Sequence, residues 1–201
     1  MAERNVSADH ITIWRWVQRY APELNRRCRP ELRQTNRSWR VDETYLRVAG
    51  KWVYLYRAVD FNGDTIDLLV AARRDTASAK RFLQKALRSI GEGSPRVINV
   101  DGNPSYPAAV RELKRTGQLS KRCRCRPVRY LKNIVEQDHR AIKRRARASQ
   151  GFRSFRAAAR TIQGIETINM IRKGQVRWVP KGDIAGQVAF VSGIFGLPQA
   201  A

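Results

Sequence analysis

Three carboxylates stand out by their setting. Asp42 lies in SWRVDETY, a run that reads as a strand. Asp101 ends the apolar run RVINVD and is followed at once by Gly102. Glu136 sits about one turn into a helical pattern, NIVEQDHRAIKRR, which Asn133 can cap. Aspartates on two strands and a glutamate on a later helix can converge as oxygen ligands for divalent cations. Two such ions about 4 Å apart can activate an attacking oxygen and stabilise a leaving one, as phosphodiester chemistry requires. Magnesium favours oxygen ligands and keeps part of its water shell, so three carboxylates suffice. With only two histidines in the chain, two Mg2+ (or Mn2+) suit this set better than zinc.

The residue types alone carry little weight. With 17 acids in 201 residues, about one position in twelve is acidic. Side chains alternate along a strand, so Asp42 and Glu43 point to opposite faces and only one is expected in the cluster. Asp42 is taken as that one, although its strand companions Arg40, Thr44 and Leu46 are too mixed to decide it. Two of the acids also have plainer readings. Asp101 before Gly102 can simply end a strand, and Glu136 can simply favour the helix dipole. Asp60, at the end of a second strand-like run, is read as a turn residue only. Lys143 follows Glu136 by seven residues, about two turns, and so lies within roughly 20° of the same helix face. Arg140 shares that face and Arg144 follows, so Arg140, Lys143 and Arg144 are candidate DNA contacts. A solvated basic face accounts for Arg144 equally well.

The charge balance points to the partner. Lys and Arg number 40 and the net charge is +23, an excess whose self-repulsion a polyanion relieves. Nucleic acid, double-stranded DNA included, is the leading candidate, because each neutralised phosphate releases counterions; an anionic membrane surface is a weaker alternative. No stretch has the apolar length to span a bilayer, and no secretion signal opens the chain, so a cytoplasmic, nucleoid-associated protein is expected. Cys28, Cys123 and Cys125 are odd in number and lack zinc-finger spacing, which reads as reduced thiols.

Elements that could hold the acids follow from periodicity. Residues 5–20 read as a helix that Ser7 can cap, with Ile13, Val17 and Tyr20 on one face. Asp9, Thr12 and Arg15 lie off that stripe, and Thr12 and Arg15 are candidate DNA contacts. This segment, residues 1–22, reads as a partial helix-turn-helix with Asn5 in its turn, or equally as an ordinary amphipathic helix. Residues 23–38 complete a polar, Pro22- and Pro30-interrupted run that reads as a linker. From Trp39 the period becomes two. WRVDETYLRV, KWVYLYRAVD and TIDLLVAARR read as three hairpin-linked strands. A helix over 76–90 follows, then a buried strand ending at Asp101 and parallel to the first. A helix over 105–116 comes next, ending at Gly117, then a basic strand within LSKRCRCRPV and two helices over 133–173. The last stretch, 179–201, is apolar and Gly-rich and should pack against the sheet or a partner. This order gives an α/β fold with a mixed sheet flanked by helices, the order of the ribonuclease H-like fold, over residues 39–178.

WRVDETY, KWVYLYRAVD, RVINVDGNPSYP and LKNIVEQDHRAIKRR together resemble the DDE-class transposases of compact bacterial insertion sequences, in particular the sixth insertion-sequence family. The 34 residues between Asp101 and Glu136 are that family's interval, and Lys143 matches its basic residue after the glutamate. The resemblance implies that Asp42, Asp101 and Glu136 are the catalytic residues and bind two magnesium ions. It implies terminal inverted-repeat DNA as substrate, replicative strand transfer into target DNA with cointegrate formation, and a homo-oligomer in a synaptic complex. Family members usually carry a longer N-terminus with a complete helix-turn-helix, whereas this chain begins near that motif's turn. A late start or a truncation is therefore expected. Two rivals stay open: a nuclease of the same fold, and a catalytically idle DNA-binding regulator.

Overall fold

The structure is a computed structural model, and it describes residues 8–91, 93–128 and 152–198. The chain divides into two compact units, residues 34–155 and residues 1–33 with 156–201.

The first unit is built on five strands: β1 (Ser38–Val48), β2 (Lys51–Asp60), β3 (Thr65–Ala71), β4 (Val97–Val100) and β5 (Arg124–Pro127). Their order is β3-β2-β1-β4-β5. The first three pair antiparallel, and β4 and β5 join parallel, as the ribonuclease H-like order requires. Ala49 and Gly50 both have positive φ, the conformation that lets a two-residue hairpin match the strands' twist. Asp60 closes β2 as a turn residue. Its carboxylate accepts the backbone N–H groups of Asn36 (2.8 Å), Asn62 (2.8 Å) and Asp64 (3.0 Å). Helices α2 (Thr76–Ser89) and α3 (Ser105–Arg115) cover one sheet face. Phe82, Leu83, Ala86, Val110 and Leu113 pack there against Trp39, Val41, Tyr56, Ile98 and Val100. The residues of β1 on the other face, Asp42, Thr44 and Leu46, are buried as well. That is why alternation in β1 is blurred in the sequence.

The second unit corrects the linker expected after Pro22. Helix α1 runs from His10 to Cys28, continuous through Pro22, and a 3₁₀ turn follows at Arg29–Glu31. Proline removes the amide that would bond the carbonyl four residues back, here that of Gln18. Arg160 of α4 (Phe155–Arg172) donates to the Gln18 carbonyl instead, at 3.4 Å. Polar residues that suggest a loop are an inter-helix seam. Gln18 donates to Thr161 (2.9 Å), Asn25 donates to Thr167 (2.8 Å), and Gln163 donates to Asn25 (2.9 Å). The cap is Asp9 rather than Ser7, and it accepts from the Thr12 N–H at 2.7 Å. The C-terminal stretch forms α5 (Ile184–Ile194). Phe190, Val191, Ile194 and Phe195 meet Leu24, Cys28 and Ile171, so this stretch packs within its own helical unit. The expected helix-turn-helix turn, with residues 1–7, lies outside the described residues, so its described part is α1 alone.

Helices α1 and α4 approach closely at one point. A Cβ on Gly164 would lie 2.6 Å from the Ala21 Cβ. Gly164→Val is expected to force the helices apart and lower stability by about 1–3 kcal/mol, as overpacking does. Urea unfolding should show this as a lower midpoint with unchanged slope.

Candidate active site

Parallel pairing of β1 with β4 sets the geometry. Val41 is opposite Val100 in that register, so the next residues, Asp42 and Asp101, emerge side by side. The carboxylates of Asp42, Glu43 and Asp101 each offer an oxygen, and these oxygens lie within 4.8 Å of one another. Glu43 is the addition. Alternation does send its side chain to the face opposite Asp42, beside α3, but Asp101 stands just past the end of β4 where both can reach it. The expectation that only one of the pair could join the cluster is therefore corrected. The longer glutamate side chain and the loop position of its neighbour outweigh the pleat.

The surroundings of the three acids differ. Asp42 is buried, with 5% of its surface exposed, and accepts the Glu43 backbone N–H at 2.8 Å. Asp101 is partly buried and accepts the Asn103 N–H at 3.1 Å. The side chain of Glu43 is held by Asn103 Nδ2 (2.8 Å), by the Tyr106 hydroxyl, and by Arg74 at 2.5 Å. Arg74 precedes Asp75, whose carboxylate caps α2 through the Ser78 N–H (2.8 Å), so its backbone is anchored. Its guanidinium also reaches Asp101 at 3.7 Å.

Electrostatics follow from these contacts. Burial works to lower the Arg74 pKa, but the hydrogen bond and attraction from Glu43, with help from Asp101, hold it above the usual range. Burial first, then the charge of Glu43 and the hydrogen bond to it, hold the Tyr106 phenol well above its ordinary value, so it remains an O–H donor. Tyr56 is pushed up to about 12 by burial and then by Glu43 and Asp75. Three carboxylates with one guanidinium among them leave an all-oxygen, electron-rich pocket. That donor chemistry fits a hard divalent cation.

Of the other sequence candidates, Glu136, Arg140, Lys143 and Arg144 lie outside the described residues. Thr12 and Arg15 lie near the start of α1, in the helical unit. Arg15 is exposed and lines a surface groove with Trp14, Arg19, Arg26 and Arg160. Arg74, Asn103 and Tyr106 were missed. The one signal in the sequence is that Asn103 and Tyr106 sit in DGNPSY, immediately after Asp101. The three cysteines are free thiols, and burial pushes both Cys28 and Cys123 up to about 11. Among the described residues, no helix is long and apolar enough to cross a membrane.

Comparison with known proteins identifies the family and the fold. The family model described as a DDE domain, of the IS240 transposase type, matches residues 36–175. The transposase for the insertion sequence-like element IS431mec of Staphylococcus aureus is 37% identical over 173 residues, 86% of this chain and 75% of that protein. The transposase for insertion sequence element IS257 in transposon Tn4003, from the same species, is 37% identical over 170 residues, 85% of this chain and 73% of that one. Two solved structures share the fold at low identity. The HTLV-2 integrase catalytic core domain in complex with magnesium has TM-score 0.52 and 17% identity, covering 72% of this chain and 95% of that one. The BIV integrase catalytic core has TM-score 0.50 and 16% identity, covering 80% and 99%. A ribonuclease H-like sheet that brings Asp42 and Asp101 together, and a DDE match across most of the chain, lead to one conclusion: the chain belongs to the DDE transposases of the sixth insertion-sequence family.

Proposed function

We propose that this transposase binds the terminal inverted repeats of its element, cleaves there, and joins the freed ends to target DNA. Joining would be replicative, giving a cointegrate. The observation that carries this reading is the convergence of Asp42, inside β1, and Asp101, just past the end of the adjacent parallel strand β4. With Glu136, they would hold two divalent ions, magnesium by preference for an all-carboxylate donor set. Bound there, the ions supply charge neutralisation at the phosphate and easier deprotonation of the attacking hydroxyl. Asp42 is fixed by its strand and its bond to the Glu43 amide, so its carboxylate is aimed before DNA arrives. Asp101 is aimed in the same way by the Asn103 amide. Such preorganisation lowers the reorganisation needed at the moment of reaction.

Recognition falls to the positive charge. Thr12, Arg15, Arg140, Lys143 and Arg144 are proposed DNA contacts, the last three on the same segment as Glu136. Two element ends must meet for both to be joined, so we propose a homo-oligomeric synaptic complex. A cytoplasmic, nucleoid-associated location goes with that substrate.

The test is a joining assay with terminal-repeat DNA, 5′-end-labelled on the strand to be transferred, and a target plasmid. Magnesium-dependent cleavage followed by labelled joint products is expected, and Glu136→Gln should abolish both. Cleavage without joint products would instead make the protein a nuclease. Salt-sensitive binding with neither reaction would make it an idle DNA-binding protein.

A further inference from the structure

We propose that Glu43 is a positioning residue for Asp101 and not a third metal ligand. This rests on the reading of Asp42 and Asp101 as holding the divalent ions. Proximity alone would make Glu43 a ligand, since its oxygen lies within 4.8 Å of the other two. Its hydrogen bonds show a different use.

Both oxygens of Glu43 are engaged, and only 3% of its side chain is exposed. Oε1 accepts from Arg74 Nε (2.6 Å) and from Asn103 Nδ2 (2.8 Å), and Arg74 Nη2 forms an ion pair with it at 2.5 Å. Oε2 accepts from the Tyr106 hydroxyl. The two lone-pair sites of Oε1 are taken by Arg74 and Asn103, Oε2 carries the Tyr106 bond, and the carboxylate is almost wholly enclosed. Ligation through Oε1 would break one of these bonds, and ligation through either oxygen would place the cation close to the Arg74 guanidinium, whose charge opposes it.

The same bonds lead to Asp101. Asn103 donates Nδ2 to Glu43, accepts the Ser105 N–H on Oδ1 at 3.0 Å, and donates its own N–H to Asp101 Oδ1 at 3.1 Å. Asn103 is thus fixed at the entry of α3 by Glu43 on one side and the helix start on the other. Asp101, just past the end of β4, is met by the Asn103 N–H (3.1 Å) and by Arg74 (3.7 Å), both of which Glu43 holds. Tyr106, the second residue of α3 and fully buried, braces Glu43 from the core. Ligand-orienting partners of this kind commonly cost about 10–100-fold in metal affinity or activity when removed.

The experiment is Mn2+ binding to the full chain, read from free-Mn2+ electron paramagnetic resonance, for wild type, Glu43→Gln, Asn103→Ala, the double variant, Tyr106→Phe, Asp42→Asn and Asp101→Asn. If Glu43 acts through Asn103, each single variant weakens binding by about 10-fold. The double variant is then no more than about twofold worse than the weaker single, because both break one path. Tyr106→Phe, a conservative core change, weakens binding by a few-fold in the same direction. Three results would overturn the positioning role: multiplied losses of about 100-fold in the double variant, tighter binding in Tyr106→Phe, or unchanged binding in both single variants. The first two would make Glu43 a direct ligand whose oxygens the network competes for. Wild-type Mn2+ affinity in Asp42→Asn and Asp101→Asn would instead sink the metal reading itself. Should Glu43→Gln melt, Asn103→Ala and Tyr106→Phe still decide.

Discussion

Asp42→Asn and Asp101→Asn are each expected to lower cleavage and strand transfer by at least about 10³-fold while leaving DNA affinity unchanged or slightly tighter. The size of the loss follows from the role. Charge stabilisation by a bound cation is worth several kcal/mol in the transition state, and about 4 kcal/mol is already a factor of about 10³. An amide keeps the shape of the carboxylate but not its charge, so it holds a divalent ion poorly. The sign of the binding change follows too. Each acid is a negative group in a pocket meant to face a polyanion, so neutralising it removes repulsion. Single-turnover rates and filter-binding isotherms, measured on the same preparations, separate the two effects. Equal losses in rate and affinity would show that the acids serve folding or binding instead.

The second large effect is salt. With a net charge of +23, the chain should neutralise many phosphates at once. A protein making six to ten phosphate contacts loses about 10³–10⁵ in affinity between 50 and 200 mM salt. A logarithmic plot of affinity against salt should therefore be steep and straight. Replacing Arg15 by Gln should weaken binding at all sequences and flatten the slope by about one ion, the mark of a phosphate contact. A slope near zero would mean that the positive charge serves another partner.

The sheet was legible because its signals are local. Gly50 and Asn62-Gly63 punctuate three period-two runs, and the β1 and β2 boundaries fall within a residue of those read from the pattern. Asp60 was legible for the same reason, since an aspartate ahead of Asn-Gly has a turn to organise. Asp42 and Asp101 could be named because a strand interior and a strand end are recognisable positions. Glu43 could not, because its place in the cluster depends on where Asp101 leaves β4. Arg74 and Tyr106 are further still from any pattern. Each reaches Glu43 across 31 and 63 residues of sequence, and no local periodicity encodes such a meeting.

The helical unit shows the opposite failure. Two prolines and a polar composition argued for a linker over residues that include the last turns of α1. The helix survives Pro22 because Arg160 takes up the carbonyl that proline leaves unpaired, and Asn25 is buried because Thr167 and Gln163 satisfy it. Partners some 140 positions away turned loop-like residues into a helix seam. Tertiary contacts overrode local propensity there.

The most direct test is the position of a bound metal. Crystals of the full chain grown with Mn2+ would locate it by anomalous scattering. Manganese is expected between the Asp42 and Asp101 carboxylates, bound to an oxygen of each, with Glu43 still bonded to Tyr106 and Asn103. No anomalous peak between Asp42 and Asp101 at saturating Mn2+ would contradict this active site.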